Sequence, residues 1–308
     1  MFKLPNPPSP QAETHELADF VEFLSWDKGT SSIREVVAIL GREDDNDNNI
    51  GCDDDDDENA SLLDEVMNEI ERRAEACGSS YPFDLELEGT VVRHNIELTD
   101  HRAELYRYLL LSTRLNMQTS RIHEGLDGGN LLEEVTAQVL RCYLGGGKAR
   151  SIVFGTAKAG SFEDKVTYLC QELHEGGGFR SLDKGPVRAN DDKLDAVAWV
   201  PFSDKLPGQL IMFAQCKTGT TWGGLVTQLQ PDAFIKKWMS NPFLINPIRT
   251  FCIAEAANRS RWRGTCTEAG ILIDRCRIVD FCDELEPDLL ERIKCWTIAA
   301  KQSITFTI

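Results

Sequence analysis

Two apolar runs of strand length, Lys193-Leu-Asp-Ala-Val-Ala-Trp-Val200 and Gln209-Leu-Ile-Met-Phe-Ala-Gln-Cys-Lys217, decide how this chain is read. Between them lies Pro201-Phe-Ser-Asp-Lys-Leu-Pro-Gly208, rich in residues that break regular structure. That pattern predicts a β-hairpin. Asp195 stands near the start of the first strand, and Gln215 and Lys217 close the second. Alternate residues of a strand share a face, so Gln215 and Lys217 project together while Cys216 points into apolar surroundings. Leu210-Ile-Met-Phe-Ala214 is strongly apolar, and ending it with a Gln and a Lys on one face needs a reason, because buried polar groups are costly unless paired.

Outward from the hairpin, Asp127-Gly-Gly-Asn-Leu-Leu-Glu-Glu-Val-Thr-Ala-Gln-Val-Leu-Arg-Cys-Tyr-Leu144 predicts a helix. A Gly pair and an Asn cap open it, and Leu132, Val135, Val139 and Leu140 form its apolar face. A short strand is expected at 150–154 and a helix from Ser161 to His174, with Phe162, Val166, Leu169 and Leu173 inward. After the hairpin come a Gly-rich loop, Thr218 to Gly224, and a helix from Leu225 to Trp238. Arg249–Ala254 and Gly270–Ile273 read as strands, Glu286–Ala299 as a helix and Ser303–Ile308 as an edge strand. Arg259, Arg261 and Arg263 bracket Trp262 in what reads as a polar loop. This order suits an α/β core with a mixed central sheet flanked by helices.

The N-terminal part is different. Residues 1–12 are Pro-rich and expected to be disordered. A helix begins near Glu13, with Leu17, Phe20, Val21 and Leu24 on one face, and Gly29 ends it. Ser31 or Ser32 can cap a second helix to Leu40, and Ser61–Cys77 reads as a third. The run from Glu43 to Glu58 is so acidic that a disordered loop is expected; covering a basic surface by mimicking phosphate is a further possibility. It fails as a calcium loop, since Ile50 stands where Gly is required and Asp56 where Glu is. Phe83, Leu85 and Leu87 alternate with acids as in a strand, and His101–Asn116 is a buried helix. The domains expected are therefore an acidic, mainly helical region at 13–126 and a core domain at 127–308.

The net charge is −17, which argues against binding phosphate. It is unevenly spread. Residues 141–308 hold 22 Lys and Arg against 19 Asp and Glu, leaving 11 against 31 in residues 1–140. The hairpin thus lies in the slightly basic part. No apolar run nears a bilayer-spanning length and no signal-peptide pattern opens the chain, so a cytoplasmic protein without membrane contact is expected. The 10 cysteines are scattered without a C-x-x-C pair, which reads as reduced, buried thiols. Gly145-Gly-Gly-Lys148 fails as a P-loop: Ala149 occupies the Ser/Thr position.

The Asp195…Gln215-x-Lys217 arrangement resembles the signature of the PD-(D/E)XK, restriction-endonuclease-like nuclease superfamily, in the Mrr-like variant with Gln in the second acidic position. The resemblance spans roughly Asp127 to Trp238. It implies a restriction-endonuclease-like core and a metal-dependent DNA endonuclease, an effector of bacterial restriction or anti-phage defence. The implied cofactor is Mg²⁺ or Mn²⁺, held by Asp195, the Gln215 side-chain carbonyl, the Cys216 backbone carbonyl and a helix carboxylate. Leu132-Glu133 matches the family's apolar-Glu pair, which makes Glu133 that carboxylate, with its neighbour Glu134 left open. Lys217 would orient the attacking water or stabilise developing charge.

Each residue also has a plain structural explanation. Asp195 could pair with Lys193 or Lys217, Lys217 could be a strand-end lysine reaching solvent, and Glu133 could simply favour the helix dipole. Lys193, Arg188, Thr218, Gln228, Lys236 and Lys237 are candidate phosphate contacts, which position a nucleic acid without reading it. The expected partner is DNA, with RNA left open, along with a protein partner such as a sensor or ATPase, or a second copy. The alternative function is a catalytically inactive nuclease-fold subunit that binds nucleic acid or assembles a defence complex, favoured by the neutral Gln215 and the acidic N-terminal part.

Overall fold

The expected hairpin is the middle of a five-stranded sheet in the computed structural model, which describes residues 2–9, 11–39, 54–87, 90–182 and 191–305. In chain order the elements are α1 (Thr14–Lys28), β1 (Thr30–Ser32), α2 (Ile33–Ile39), α3 (Asp54–Cys77), β2 (Phe83–Glu86), β3 (Val91–His94) and α4 (His101–Arg114). There follow β4 (Ile122–His123), β5 (Leu126–Asp127), α5 (Gly128–Tyr143), β6 (Arg150–Val153), α6 (Phe162–Leu173), β7 (Ala196–Val200), β8 (Leu210–Lys217) and α7 (Pro231–Trp238). The chain closes with β9 (Ile248–Ile253), α8 (Trp262–Ala269), β10 (Ile271–Ile273), α9 (Arg275–Asp280) and α10 (Pro287–Gln302).

The central sheet runs β10-β9-β8-β7-β6. β6, β7 and β8 are antiparallel, and β8, β9 and β10 are parallel, so the sheet is mixed. Strand periodicity sorts its side chains. Ala196, Ala198, Met212, Ala214 and Cys216 face one core with Val135 and Val139 of α5. Val197, Trp199, Ile211 and Phe213 face a second core with Val166 and Leu169 of α6 and Phe234 of α7. Each large apolar side chain taken fully out of water there contributes about 1.5–3 kcal/mol. The small residues on the first face let α5 lie close to the sheet. Cys216 does point into apolar surroundings, opposite to Gln215, as the alternation predicts.

The N-terminal region shares the first core. Phe20 and Phe23 of α1 and Tyr106 and Leu109 of α4 join Met212 of β8, Ile278 of α9 and Ile293 of α10. The Pro-rich start is packed rather than disordered. Phe2 and Leu4 are buried, Phe2 meets Phe20 edge-on, and the Arg114 guanidinium lies 4.7 Å above its ring.

Helix α1 is buried on more sides than its apolar stripe predicts: His15, Glu16, Asp19 and Glu22 are buried as well as Phe20. Three arginines from distant segments account for this. Asp19 accepts from Arg73 (2.7 Å), Arg114 (2.6 Å) and Arg275 (2.8 Å), and Glu22 from Arg73, Tyr81 and Tyr106. Arg114, Arg275 and Arg73 hold the Asp19 carboxyl well below the usual range despite its burial.

Other departures are local. The third helix begins at Asp54, so residues 54–58 of the expected acidic loop are helical; the rest of that loop, 43–53, lies outside the described residues. Strands β1 and β3 extend β2 into a three-stranded sheet, and β4 and β5 form a small hairpin. The segment after the Gly-rich loop is a 3₁₀ turn, Gly223–Leu225, with helix only from Pro231. The polar loop around Trp262 is helical, as α8. No strand forms over 303–305, and 306–308 lie outside the described residues. Among the described residues no helix is long and apolar enough to cross a membrane.

Candidate metal-binding site

Asp195 sits where three strands converge. Its backbone N–H donates to the Ala214 carbonyl at 2.8 Å, and its carbonyl accepts from the Phe154 and Gly155 amides. The register places Ala196 opposite Ala214, which brings Asp195 beside Gln215. Side-chain Oδ2 accepts the Cys216 amide at 2.8 Å. In an antiparallel pair a residue's amide and carbonyl point to the same neighbour. The Cys216 carbonyl therefore leaves β8 on the Asp195 side. Asp195 is only 4% exposed. Burial pushes its carboxyl up, the Lys217 charge and the Cys216 amide pull it back, and it settles at about 7.

Gln215 is fully buried. Its Nε2 makes one long hydrogen bond, 3.4 Å, to Gln228 Oε1, and its Oε1 has no hydrogen-bond partner. A buried carbonyl oxygen without a donor is costly. Lys217 is half-buried, and its charge is felt by Asp195. No Lys or Arg among the described residues forms a close ion pair with Asp195, and Lys193 is exposed on the turn before β7.

Helix α5 brings up a second carboxylate. The cap of this helix is Asp127, not Asn130; its side chain accepts the Gly129 and Asn130 amides. Gly128 lets the helix start against α10, since a Cβ there would lie 2.6 Å from the Trp296 ring. One turn on, the two candidate acids separate. Glu134 faces α10 and is gripped by Arg292 at 2.8 and 2.6 Å, a structural pair. Glu133 turns toward the end of β6, where Oε1 accepts the Thr156 hydroxyl and Oε2 the Ala157 amide, both at 2.7 Å. A Cβ on Gly155 would fall 2.5 Å from Glu133 Oε2, so glycine there is what admits the carboxylate. Burial raises the Glu133 carboxyl, with the Ala157 amide and Thr156 hydroxyl opposing. Glu133 in turn raises Asp195.

Two residues join this group that the motif does not include. Lys165 of α6 is buried and donates to the Gly155 carbonyl at 2.7 Å. Burial lowers its ammonium, with Asp191 and Glu133 opposing. Asp191 caps the turn before β7 by accepting the Lys193 amide at 2.9 Å, and its charge raises both Glu133 and Asp195. The signal for Lys165 was present: it shares the inward face of α6 with Phe162 and Leu169. Asp191 had only its place four residues before Asp195.

The candidate phosphate contacts scatter. Gln228 lies on the turn segment before α7 rather than on a helix, and meets Gln215. Lys237 pairs with Asp192 at 3.2 Å, close to the strand entrance. Lys236 is exposed and paired with Asp232. Thr218 is half-buried directly after Lys217, Lys193 is exposed, and Arg188 lies outside the described residues.

The oxygen atoms gathered here are of the kind a hard divalent cation takes. Gln215 Oε1 is an oxygen donor without a hydrogen-bond partner, and Asp195 supplies an anionic oxygen beside it. Among the described residues no three His, Cys, Asp or Glu converge on one point, so the cradle is lean in acids. A cleft of about 980 Å³ lies elsewhere, lined by His15, Trp222, Glu255 and Arg261. Of its buried acids, Glu255 is compensated by Arg114 at 3.1 Å and Trp222 at 2.7 Å, and Glu16 by Arg114 at 3.2 Å. Comparison of the chain with protein-family models, curated proteins and solved structures gives no match.

Proposed function

We propose that the chain is a metal-dependent DNA endonuclease whose site is built from Asp195, Gln215, Lys217 and Glu133. The observation that carries the reading is the partnerless, fully buried Gln215 Oε1 beside the buried Asp195 carboxyl. Asp195, Gln215 Oε1 and the Cys216 carbonyl would hold Mg²⁺ or Mn²⁺, with Glu133 contributing from α5. Such a cation supplies an acidified water as nucleophile and neutralises phosphate charge. Asp195 ionises near pH 7, so the site gains its negative charge in the physiological range. Lys217 brings a positive charge to the same strand end, where it can orient the nucleophile or balance the phosphorane. Thr156 and Ala157 fix Glu133, and Gly155 leaves room for it. The role in restriction or anti-phage defence, with a sensor or ATPase as controlling partner, is part of the proposal by resemblance alone.

One observation favours the inactive-subunit reading: both Glu133 oxygens are already satisfied by the chain's own donors. Incubation of plasmid, linear duplex and RNA with wild type, Asp195→Ala and Lys217→Ala in Mg²⁺ or Mn²⁺ separates the two. Metal-dependent cleavage of DNA by wild type alone supports the endonuclease. Metal-independent binding without cleavage, equal in all three proteins, replaces it with the inactive subunit.

A further inference from the structure

Past α6 the chain turns back through His174, Glu175 and Gly176-Gly-Gly178. Glu175 reaches the hairpin there: Oε1 accepts the Gly208 amide at 2.7 Å, just before β8 begins. β8 is 8 residues long and ends on Lys217, so this point lies roughly 25 Å along the sheet from the Asp195 group. The glycine segment is also pinned from the other side. Ser240 and Asn241 donate their amides to the Gly178 and Gly176 carbonyls, both at 3.0 Å. Gly177 lies so close to Asn241 that a Cβ would fall 2.4 Å from its Nδ2. Among these segments is a cavity of about 410 Å³, the size of a small-molecule site.

Glu175 lines this cavity and is only 8% exposed. Its Oε2 is buried and has no hydrogen-bond partner in the protein. Among the described residues no Lys or Arg lines the cavity or pairs with Glu175, and the exposed His174 is the one basic side chain on its walls. A buried carboxylate is costly without a positive partner. The other walls narrow what that partner is. Glu175 is the only acid on them, and a single carboxylate is a poor cradle for a divalent metal. Gln171 and Asn241 add side-chain carbonyl oxygens, while Pro207, Pro242 and Leu244 add apolar surface. Leu244 is 72% exposed, an unusual position for a large apolar side chain beside a buried charge. One free carboxylate oxygen suits an ammonium, a compact charge with three donors. A guanidinium is fitted less well, because its planar fork takes both oxygens of a carboxylate and Oε1 is already engaged.

We propose that this cavity binds a primary alkylammonium group, with Glu175 Oε2 as its counter-ion, the side-chain oxygens of Gln171 and Asn241 as further acceptors, and Leu244, Pro207 and Pro242 against the alkyl stem. The side chain of a lysine and a free aliphatic amine offer the same chemistry. The site lies at the end of β8 remote from Lys217, and it stands or falls separately from the nuclease reading.

The test is titration calorimetry of the full-length protein with pentylamine, at about 150 mM salt so that the chain's other carboxylates are screened. Saturable binding of one equivalent is expected, at least about tenfold tighter than that of 1-pentanol, which has the same stem and no charge. Glu175→Gln keeps an oxygen for the Gly208 amide and should weaken pentylamine at least about tenfold. Glu172→Gln, at an exposed neighbour, should leave it within about twofold. Nα-acetyl-lysine N-methylamide binding more tightly than pentylamine assigns the site to a lysine of a partner protein, and the reverse order to a free amine. No saturable binding of either amine, equal binding of pentanol, or an unchanged affinity in Glu175→Gln overturns the proposal. The comparison with the alcohol needs no variant and so does not depend on one folding. Tighter binding of pentylguanidine than of pentylamine overturns the choice of ammonium.

Discussion

Replacing Asp195 with Asn should make the protein more stable, and increasingly so as the pH rises. The carboxyl goes from 3.8 in the unfolded chain to about 7 in the folded one. Its folded-state pKa is raised, so its stabilising contribution is fully present below about pH 4 and is lost as pH climbs through 7. At about 1.36 kcal/mol per pH unit, the cost of keeping the charge buried is about 1.6 kcal/mol at pH 5 and about 4 kcal/mol above pH 7. Solvent screening removes little of this from a group only 4% exposed. Asn keeps an oxygen for the Cys216 amide and carries no charge. At roughly 2 °C per kcal/mol for a chain of this size, the variant should melt about 8 °C above wild type at pH 8 and about 3 °C above it at pH 5. Scanning calorimetry with and without Mn²⁺ at both pH values tests this. A cation held at Asp195 should raise wild type toward the variant at pH 8 and leave the variant unmoved. A gap that stays flat from pH 5 to pH 8, or a variant less stable than wild type at pH 8, would refute the reasoning.

Three further outcomes follow from the same geometry. Gln215→Glu adds a charge where Oε1 has no partner, so Mn²⁺ affinity by titration calorimetry should rise about tenfold or more; unchanged affinity would remove Gln215 from the cradle. Gly155→Ala places a methyl 2.5 Å from Glu133 Oε2 and should lower metal-dependent cleavage by about 10–100-fold, while Glu134→Gln leaves cleavage within about twofold. Equal losses in a plasmid assay would contradict the separation of the two acids. Asp19→Asn leaves Arg73, Arg114 and Arg275 short of a buried counter-charge and should cost about 3–5 kcal/mol in urea unfolding at pH 7. A loss below about 1 kcal/mol would show that the arginines find other partners.

The central hairpin was legible because its signals are local. Pro201, Pro207 and Gly208 punctuate two apolar runs, and period-two alternation then sends Gln215 and Cys216 to opposite faces. The split between Glu133 and Glu134 was not legible. Adjacent helical residues point about 100° apart, and both flank the apolar stripe of Leu132 and Val135; Arg292 and Gly155 decide between them from far along the chain. The burial of His15, Glu16, Asp19 and Glu22 was hidden for a related reason. Their spacing reads as a solvated face, and only arginines from α3, α4 and α9 make an interior position tolerable. Phe2 and Leu4 escaped notice because a Pro-rich composition says nothing about a surface that waits to receive two apolar side chains.

The arginine cluster around Asp19 also dictates an order of events during synthesis. Asp19 leaves the ribosome early, but its partner Arg275 is 256 residues further along. Until α9 emerges, the carboxylates of Asp19 and Glu22 lack the guanidinium of Arg275. The charge cluster around α1 is therefore completed long after α1 itself is made. A fragment lacking residues 1–28 would leave Arg73, Arg114 and Arg275 inside a core with no Asp19 to meet them, and a fragment ending before Arg275 would leave Asp19 short of one of its three arginines. The cluster is thus a contact of long sequence separation, of the kind that forms late in folding.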